Sequence, residues 1–464
     1  MRRILTFFLF TSALSTAQIQ TIDPALRTKI DAASEQVLAT TGVPSASIAI
    51  VQDGKVTYTH AYGKARLSPP TNATPGMRYS IGSISKQFTA AAILMLQQQG
   101  KLSLDDHVSK YLPDLSRANQ VTIRMLLSHT SGYQDYWPED YLMTPMLQSV
   151  TAQQILDKWG RKPLDFDPGT RWQYSNTNFV IAGVIIEKVS GIELFRYLQQ
   201  NVFTPLHMTS VYNSDIAALG DTDAQGYIRY ALGPLRPAPD AGNGWMFAAG
   251  ELAMPVYDLA LWDISMMNKS LLSPKSYAEM FESVKLTDGS DSHYGLGVSV
   301  QSPMGHLAIS HSGEVSGFVA QNTVFPQDHV AIVVLTNQDA NPAAALLARA
   351  LAPILLANAG TTSTADEAQA LAIFTGLQQG KINRSLFTEW CNNYFTPQAI
   401  GDFATSLQPL GAPQSFKRTN EELRGGMTFR VFELTFADKT KKLRLTTYTM
   451  PDGKLEQYLV MPIL

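Results

Sequence analysis

The stretch from Ser83 to Leu96 places the strongest constraint on how this chain folds. It begins Ser-Ile-Ser-Lys-Gln-Phe-Thr, and the seven residues that follow, 90–96, are all apolar. Because a helix without a polar face must be buried on all sides, the stretch predicts a helix at the centre of a domain. Gly100 follows at a position typical of a left-handed helix stop.

Ser83 and Lys86 form the only Ser-x-x-Lys pair in the chain. At a helix start the two side chains lie one turn apart on the same face. A serine hydroxyl becomes a good nucleophile when a neighbouring base takes its proton, and a lysine amine can do so where it is shielded from water. The pair therefore indicates a candidate serine nucleophile. On its own it is short enough to arise by chance in 464 residues.

Composition and charge narrow the function classes. The chain has 45% apolar and 16% charged residues, so it can bury a large core. The formal net charge is -3, which gives no electrostatic basis for binding nucleic acid. We find no phosphate-binding loop, no Cys/His spacing typical of zinc and no cofactor motif, and we therefore predict neither a metal nor a cofactor.

The N-terminal residues resemble a secretory signal peptide. Two arginines precede an apolar stretch at 4–14, which is too short to span a bilayer, and Ser15-Thr16-Ala17 offers small residues for cleavage after Ala17. We therefore predict a periplasmic or secreted protein with no stable membrane anchor after cleavage. Cys391 is the single cysteine, which excludes an intramolecular disulfide.

The order of predicted elements indicates an α+β protein. A hairpin at 45–62 and further strands at 296–336 bracket a mainly helical middle, which predicts an antiparallel sheet flanked by helices with an inserted all-helical lobe. A small, polar stretch suggests a linker before a small C-terminal α+β domain. We predict a signal peptide at 1–17, a main domain at 18–358, a linker at 359–366 and an accessory domain at 367–464.

Three motifs occur in a fixed order along the main domain: Ser83-x-x-Lys86, Tyr174-x-Asn176 and His311-Ser312-Gly313. In this order the chain resembles the serine β-lactamase and penicillin-binding-protein-like hydrolases, which include class C β-lactamases, D-Ala-D-Ala carboxypeptidases, D-aminopeptidases and esterases. The resemblance covers about residues 22–357. It implies a β-lactamase/transpeptidase-like fold with a cleft between sheet and helical lobe.

The resemblance also implies roles for individual residues. Ser83 would be the acylated nucleophile, Lys86 would activate it and Tyr174 would shuttle the proton. Asn176 would hydrogen-bond Lys86 and the substrate amide. The backbone N–H groups of Ser83 and Glu314 would form the oxyanion hole.

The third motif departs from the pattern of the β-lactamases in this group. There it usually begins with a lysine that meets the substrate carboxylate, whereas here it begins with His311, followed by Ser312 and Gly313 as further substrate-binding positions. Histidine is charged only part of the time near neutral pH. The departure favours a peptidase or esterase over a dedicated β-lactamase.

These observations lead to a main hypothesis and two alternatives. The first is an exported serine hydrolase that acts through a Ser83 acyl-enzyme on D-amino-acid peptides or related small amides and esters, peptidoglycan fragments among them. The second is a β-lactamase that hydrolyses the β-lactam ring. The third is a catalytically silent cell-wall-binding protein, against which the complete set of Ser83, Lys86 and Tyr174 argues.

Overall fold

The computed structural model describes residues 21–356, 365–424, 427–438 and 440–463. The predicted signal peptide and residues 359–364 of the predicted linker lie outside these ranges. The chain divides into two compact units. The first contains the described residues up to 301 and those from 308 to 356, and the second contains 302–307 and the described residues from 365 onward.

The strands of the first unit are β1 Ser45–Gln52, β2 Lys55–Leu67, β3 Pro70–Asn72, β4 Tyr79–Ser80, β5 Tyr212–Asn213, β6 Tyr227–Arg229, β7 Leu235–Pro237, β8 Leu252–Met254, β9 Ser299–Gln301, β10 Ala308–Val315, β11 Phe318–Phe325 and β12 Val330–Thr336. Seven of them form an antiparallel sheet with strand order β3-β2-β1-β12-β11-β10-β9. Residues from both ends of the unit therefore meet in the centre of the sheet, where β1 pairs with β12.

Nine helices accompany these strands in the described part of the first unit. They are α1 Pro24–Thr41, α2 Ser85–Gln98, α3 Ile123–Leu127, α4 Ala152–Ile155, α5 Asn176–Ser190, α6 Leu194–Leu198, α7 Val256–Asn268, α8 Pro274–Phe281 and α9 Ala343–Leu356. Helix α1 shows how local sequence sets the bounds. The Asp23 carboxylate accepts from the first free N–H groups, and Gly42 ends the helix with a φ of 66°.

Both faces of the sheet are covered by helices. Alternate residues of the central strands, such as Ile48 and Ile332, join one buried cluster with Ile30 of α1 and Leu351 of α9. Helix α7 packs on the opposite face, against β1, β2, β11 and β12. Helix α2 lies in the helical lobe against α5, and its residues 85–96 are all buried. The sequence prediction of a central buried helix, and with it the fold class, is confirmed.

The second unit is a small α+β domain with its own core. Helices α10 Ala365–Gln378, α11 Glu389–Tyr394 and α12 Pro397–Leu407 accompany a four-stranded sheet of β13 Ser415–Arg424, β14 Met427–Thr435, β15 Lys442–Thr449 and β16 Leu455–Pro462. Phe374, Phe432 and Leu445 lie at the centre of its apolar cluster.

Some element boundaries differ from the sequence expectation. The strand expected from Leu296 begins only at Ser299, because Gly297 has a φ of 71° and breaks the extended backbone. Strand β13 was not expected, since its residues are mostly polar and show no apolar alternation. Among the described residues, no helix combines the length and apolar character that crossing a bilayer requires.

Asn337 joins four segments of the first unit. Its side chain is fully buried, and Oδ1 accepts from the backbone N–H of Ser45 at 2.8 Å and from the Ser45 hydroxyl at 2.7 Å. Its Nδ2 donates to the carbonyls of Ala65, at 3.2 Å, and Gln225, at 3.1 Å. One amide thus links β12 to β1, β2 and the segment near Gln225.

Replacing Asn337 by alanine should destabilise this unit strongly. We expect Asn337→Ala to lower the free energy of unfolding by about 3 kcal/mol or more, because each buried group left without a partner costs ~1–3 kcal/mol. Urea unfolding followed by tryptophan fluorescence measures the change. Asn119→Ala, at an exposed site, serves as the control. Equal stability of the two variants would contradict the bridging role of Asn337.

Candidate active site

Ser83 lies in a short 3-10 turn, Gly82–Ile84, that leads directly into α2. The sequence predicts it at the helix N-terminus, and in the structure it lies two residues before the first residue of the α-helix. Lys86 follows in the first turn of α2 and is fully buried. Its Nζ lies 2.9 Å from Ser83 Oγ. The turn and the helix therefore direct both side chains to one point.

Tyr174 and Asn176 come to the same point from the start of α5. The Tyr174 hydroxyl donates to Ser83 Oγ at 2.7 Å, and Asn176 Oδ1 lies 2.8 Å from Lys86 Nζ. The backbone N–H of Ser175, between them, donates to the Nδ1 atom of the buried His129 at 3.2 Å. The structure thus brings together the four residues that the first two motifs supplied.

The Lys86 amine has three polar neighbours, and its protonation state determines which of them it donates hydrogen bonds to. Besides Ser83 Oγ and Asn176 Oδ1, it donates to the carbonyl of Ala249 at 2.8 Å. Burial lowers the pKa of Lys86 from 10.5 to about 7, against an opposing effect of Asp135. A protonated amine donates to all three neighbours. A neutral amine donates to the two fixed acceptors and turns its lone pair toward the Ser83 hydroxyl.

The third motif runs along the edge of the Ser83 turn. A Cβ atom on Gly313 would lie 1.8 Å from the carbonyl oxygen of Ile81, so only glycine fits there. The backbone nitrogen of Glu314 would lie 2.7 Å from a Cβ atom on Gly82. This close approach places the backbone nitrogen of Glu314 next to the turn that carries Ser83, and an oxyanion hole formed by the two N–H groups stays a prediction.

His311 lines the cleft but uses both ring nitrogens inside the protein. Its Nδ1 contacts the carbonyl of Ser312, which requires an N–H on that atom. Its Nε2 therefore accepts from the Tyr294 hydroxyl at 2.7 Å. Burial lowers the pKa of His311 to about 4. The partial charge near neutral pH that the sequence suggested is thus absent, and substrate binding by His311 stays a prediction.

The cleft in front of Ser83 has a volume of about 520 Å³, in the range of small-molecule sites. Tyr136, Trp137, Tyr141 and Trp245 contribute aromatic surface, and Ser312 lines the wall near His311. Five carboxyl side chains also line the cleft: Asp135, Glu139, Asp140, Glu314 and Asp339. No lysine or arginine occurs among the described residues that line it.

Sequence reasoning missed several residues of the site. Asp135 contacts Asn176, and Tyr294 contacts His311, from segments without a recognisable motif. Ala249 contributes a backbone carbonyl, which no side-chain pattern reveals. The aromatic and acidic stretch at 133–145 and the Gly/Pro/Asp-rich stretch at 214–250 both contribute to the lining of the cleft.

Comparison with known proteins connects this geometry to one family. The Beta-lactamase family profile matches residues 30–356. Penicillin-binding protein 4* of Bacillus subtilis is 28% identical over 307 residues, which cover 63% of this chain and 68% of that protein. The curated relatives compared with this chain are matched over 62% to 70% of their own length.

Solved structures show the same fold. A D-stereospecific amidohydrolase from Streptomyces sp. is 26% identical, with a TM-score of 0.60, over 68% of this chain and 96% of its own. The octameric penicillin-binding protein homologue from Pyrococcus abyssi is 23% identical, with a TM-score of 0.59, over 94% of this chain and 99% of its own. The latter likeness concerns the fold and extends over the C-terminal domain.

The low pKa of Lys86 predicts a specific pH dependence for acylation of Ser83. Only the neutral amine can accept the serine proton, so the rate of Ser83 labelling by a fluorophosphonate should rise with pH and level off above about 7. Below that midpoint the rate should fall about tenfold per pH unit. Rate constants for labelling between pH 5 and 9, followed by intact-protein mass spectrometry, measure it.

Lys86→Arg provides the control, because a guanidinium keeps its proton throughout this range. Labelling of this variant should be slow and without an inflection near pH 7. A wild-type rate that is constant with pH, or that rises only near the ordinary lysine pKa of 10.5, would contradict the role of a neutral Lys86.

Proposed function

The chain belongs to the beta-lactamase family, and we propose that it is an exported serine hydrolase that acts through an acyl-enzyme on Ser83. The observation that carries this proposal is the contact of Ser83 Oγ with both Lys86 Nζ and the Tyr174 hydroxyl at the floor of a cleft. Relatives named as penicillin-binding protein and amidohydrolase support the general reaction class.

In the proposed first half-reaction, neutral Lys86 takes the Ser83 proton as Oγ attacks the carbonyl carbon of an amide or ester. The negative charge that develops on the carbonyl oxygen is stabilised by the backbone N–H groups of Ser83 and Glu314. Tyr174 stays a neutral phenol, because burial raises its pKa above the ordinary value. It gives its proton to the leaving amine or alcohol and recovers one from Lys86.

In the second half-reaction, water takes the place of the leaving group. Its proton passes through Tyr174 to the Lys86 amine while its oxygen attacks the acyl carbon. The Ser83–acyl bond breaks and the serine oxygen recovers a proton, which restores the starting state. Each step needs a proton carrier with a pKa near neutrality, and Lys86 meets that condition.

The charges around the cleft favour one substrate class. The described lining residues of the cleft include five carboxyl groups, a neutral His311 and no lysine or arginine, so they offer no cation to a substrate carboxylate. We therefore propose amides, peptides or esters whose acyl part is neutral or carries an amine. The relative named as a D-stereospecific amidohydrolase supports D-amino-acid derivatives. The signal-like N-terminus supports a periplasmic or secreted location, where peptidoglycan fragments are available.

The β-lactamase alternative uses the same Ser83, Lys86 and Tyr174 chemistry, and the family name favours it. A penicillin, however, carries a carboxylate for which the described lining residues offer no cation. The alternative of a silent cell-wall-binding protein would not account for a buried Lys86 whose pKa lies near 7. Both alternatives are decided by the experiments that follow.

Removing the nucleophile should abolish covalent chemistry. We expect Ser83→Ala to lose fluorophosphonate labelling and to reduce kcat for a small ester by about 10⁴-fold or more, as for other serine hydrolases. Its melting temperature should stay close to that of the wild type, as should that of Ser270→Ala, an exposed control. Labelling that persists in Ser83→Ala, mapped by peptide mass spectrometry, would overturn the assignment.

Substrate charge should control specificity. For a D-phenylalanine p-nitroanilide series, kcat/KM should be higher for the free amine and the N-acetyl derivative than for the N-succinyl derivative. We expect a difference of about tenfold, or ~1.4 kcal/mol, that shrinks at high salt. The N-acetyl compound controls for loss of the amine. A preference for the succinyl compound, or faster turnover of a penicillin than of a neutral ester, would favour the β-lactamase hypothesis.

A further inference from the structure

We propose that Asp135 is a positioning residue that fixes the orientation of the Asn176 amide and thereby holds the Lys86 amine against Ser83. The proposal rests on the proposed function, since it concerns the activation of Ser83 by Lys86. Asp135 belongs to a loop without regular secondary structure and lies beside α5. Its hydrogen bonds to described residues go to Trp137 and Asn176 and not to Ser83, so its effect must pass through another residue.

The contacts of Asp135 are directed almost wholly to Asn176. Oδ1 accepts from the backbone N–H of Asn176 at 2.9 Å and from that of Trp137 at 3.2 Å. Oδ2 faces Asn176 Nδ2 at 3.3 Å, and the Trp137 carbonyl faces the same nitrogen at 3.4 Å. The loop thus holds both the backbone and the side-chain amide of the first residue of α5.

This arrangement leaves one orientation for the amide. With Nδ2 between the Asp135 carboxylate and the Trp137 carbonyl, Oδ1 points to Lys86 Nζ at 2.8 Å. A flipped amide would set Nδ2 against the lysine and Oδ1 against two acceptors, which leaves buried groups without partners. Asp135 therefore ensures that Lys86 meets an acceptor there, so that a neutral amine keeps its lone pair for Ser83.

The carboxylate also acts on Lys86 through its charge. The titratable groups that face Lys86 include Tyr174, whose ring lies 4.9 Å from Nζ, and the buried His129 and His311, whose pKa values burial lowers. These three are neutral near pH 7. Asp135 raises the pKa of Lys86, while burial lowers it to about 7. Hydrogen bonding and charge are thus two contributions of one side chain.

Two substitutions test these contributions. Asp135→Asn removes the charge and replaces the acceptor that faces Asn176 Nδ2 with an NH2 group, but it keeps an oxygen that can accept from the backbone N–H groups of Trp137 and Asn176. Asp135→Ala removes that oxygen as well. Fluorophosphonate labelling of Ser83 between pH 5 and 9 is the readout, since the reagent carries no charge, with kcat and KM for an N-acetyl ester measured beside it.

For Asp135→Asn we expect the midpoint of the pH–rate curve to move to lower pH by about 1 unit, because an anion near the lysine is lost. For Asp135→Ala we expect the same direction of shift together with a fall in the plateau rate of about tenfold or more, expressed in kcat rather than KM. Asp114→Asn, at an exposed aspartate, is the matched control and should change neither the midpoint nor the plateau rate.

A double-mutant cycle tests whether Asp135 acts through Asn176. In an Asn176→Ala background, Asp135→Ala should lose most of its effect on the plateau rate, because the amide to be oriented is absent. Full additivity would overturn the proposal. So would a plateau and midpoint unchanged from wild type in both Asp135 variants, or an effect confined to KM for the N-acetyl ester, which would make Asp135 a substrate-binding residue.

The outcomes remain interpretable if one variant does not fold or if the enzyme proposal itself fails. Circular dichroism and thermal melting identify a misfolded Asp135→Ala, in which case Asp135→Asn and its pH midpoint still decide. Absence of Ser83 labelling in the wild type would refute the proposed function. Labelled wild type with unchanged Asp135 variants would refute this inference alone.

Discussion

The burial of the Lys86 amine is the constraint on which the rest of the site depends. A lysine nitrogen removed from water must find polar partners inside the protein, and each partner here comes from a different segment. The turn before α2 supplies Ser83, the start of α5 supplies Asn176, and the segment before β8 supplies the carbonyl of Ala249. One nitrogen therefore fixes the relative positions of three parts of the fold.

A second buried polar network holds α2 to the sheet directly behind Lys86. Gln87, the next residue, accepts from Trp262 of α7 at 2.7 Å and exchanges hydrogen bonds with Asn322 of β11 at 3.1 Å. Asn322 also donates to Asp263 at 2.7 Å. Since Asn322 pairs with His311 across β10 and β11, the network couples the helix of Lys86 to the strand of the third motif. Such fully buried networks specify one arrangement of the elements they join.

The sequence predicted best what is local and periodic. The helix ended by Gly42, the hairpin through Asp53-Gly54 and the buried helix of Lys86 all follow from caps, turns and apolar pattern. It could not predict the contact of Asp135, because that contact depends on Asn176, which only folding places beside the loop carboxylate. Nor could it predict β13, whose polar residues take their strand conformation from pairing with β14.

The contact between Gly313 and the Ile81 carbonyl limits which positions of the chain can vary in sequence. Backbone meets backbone there, with no space for even a methyl group, so substitution offers no way to tune that junction. The side chains at 138–142, by contrast, project from a loop and line the cleft. A lineage of such proteins can therefore diversify in what the cleft accepts while inheriting the arrangement around Ser83 unchanged, because the two properties are encoded in different parts of the chain.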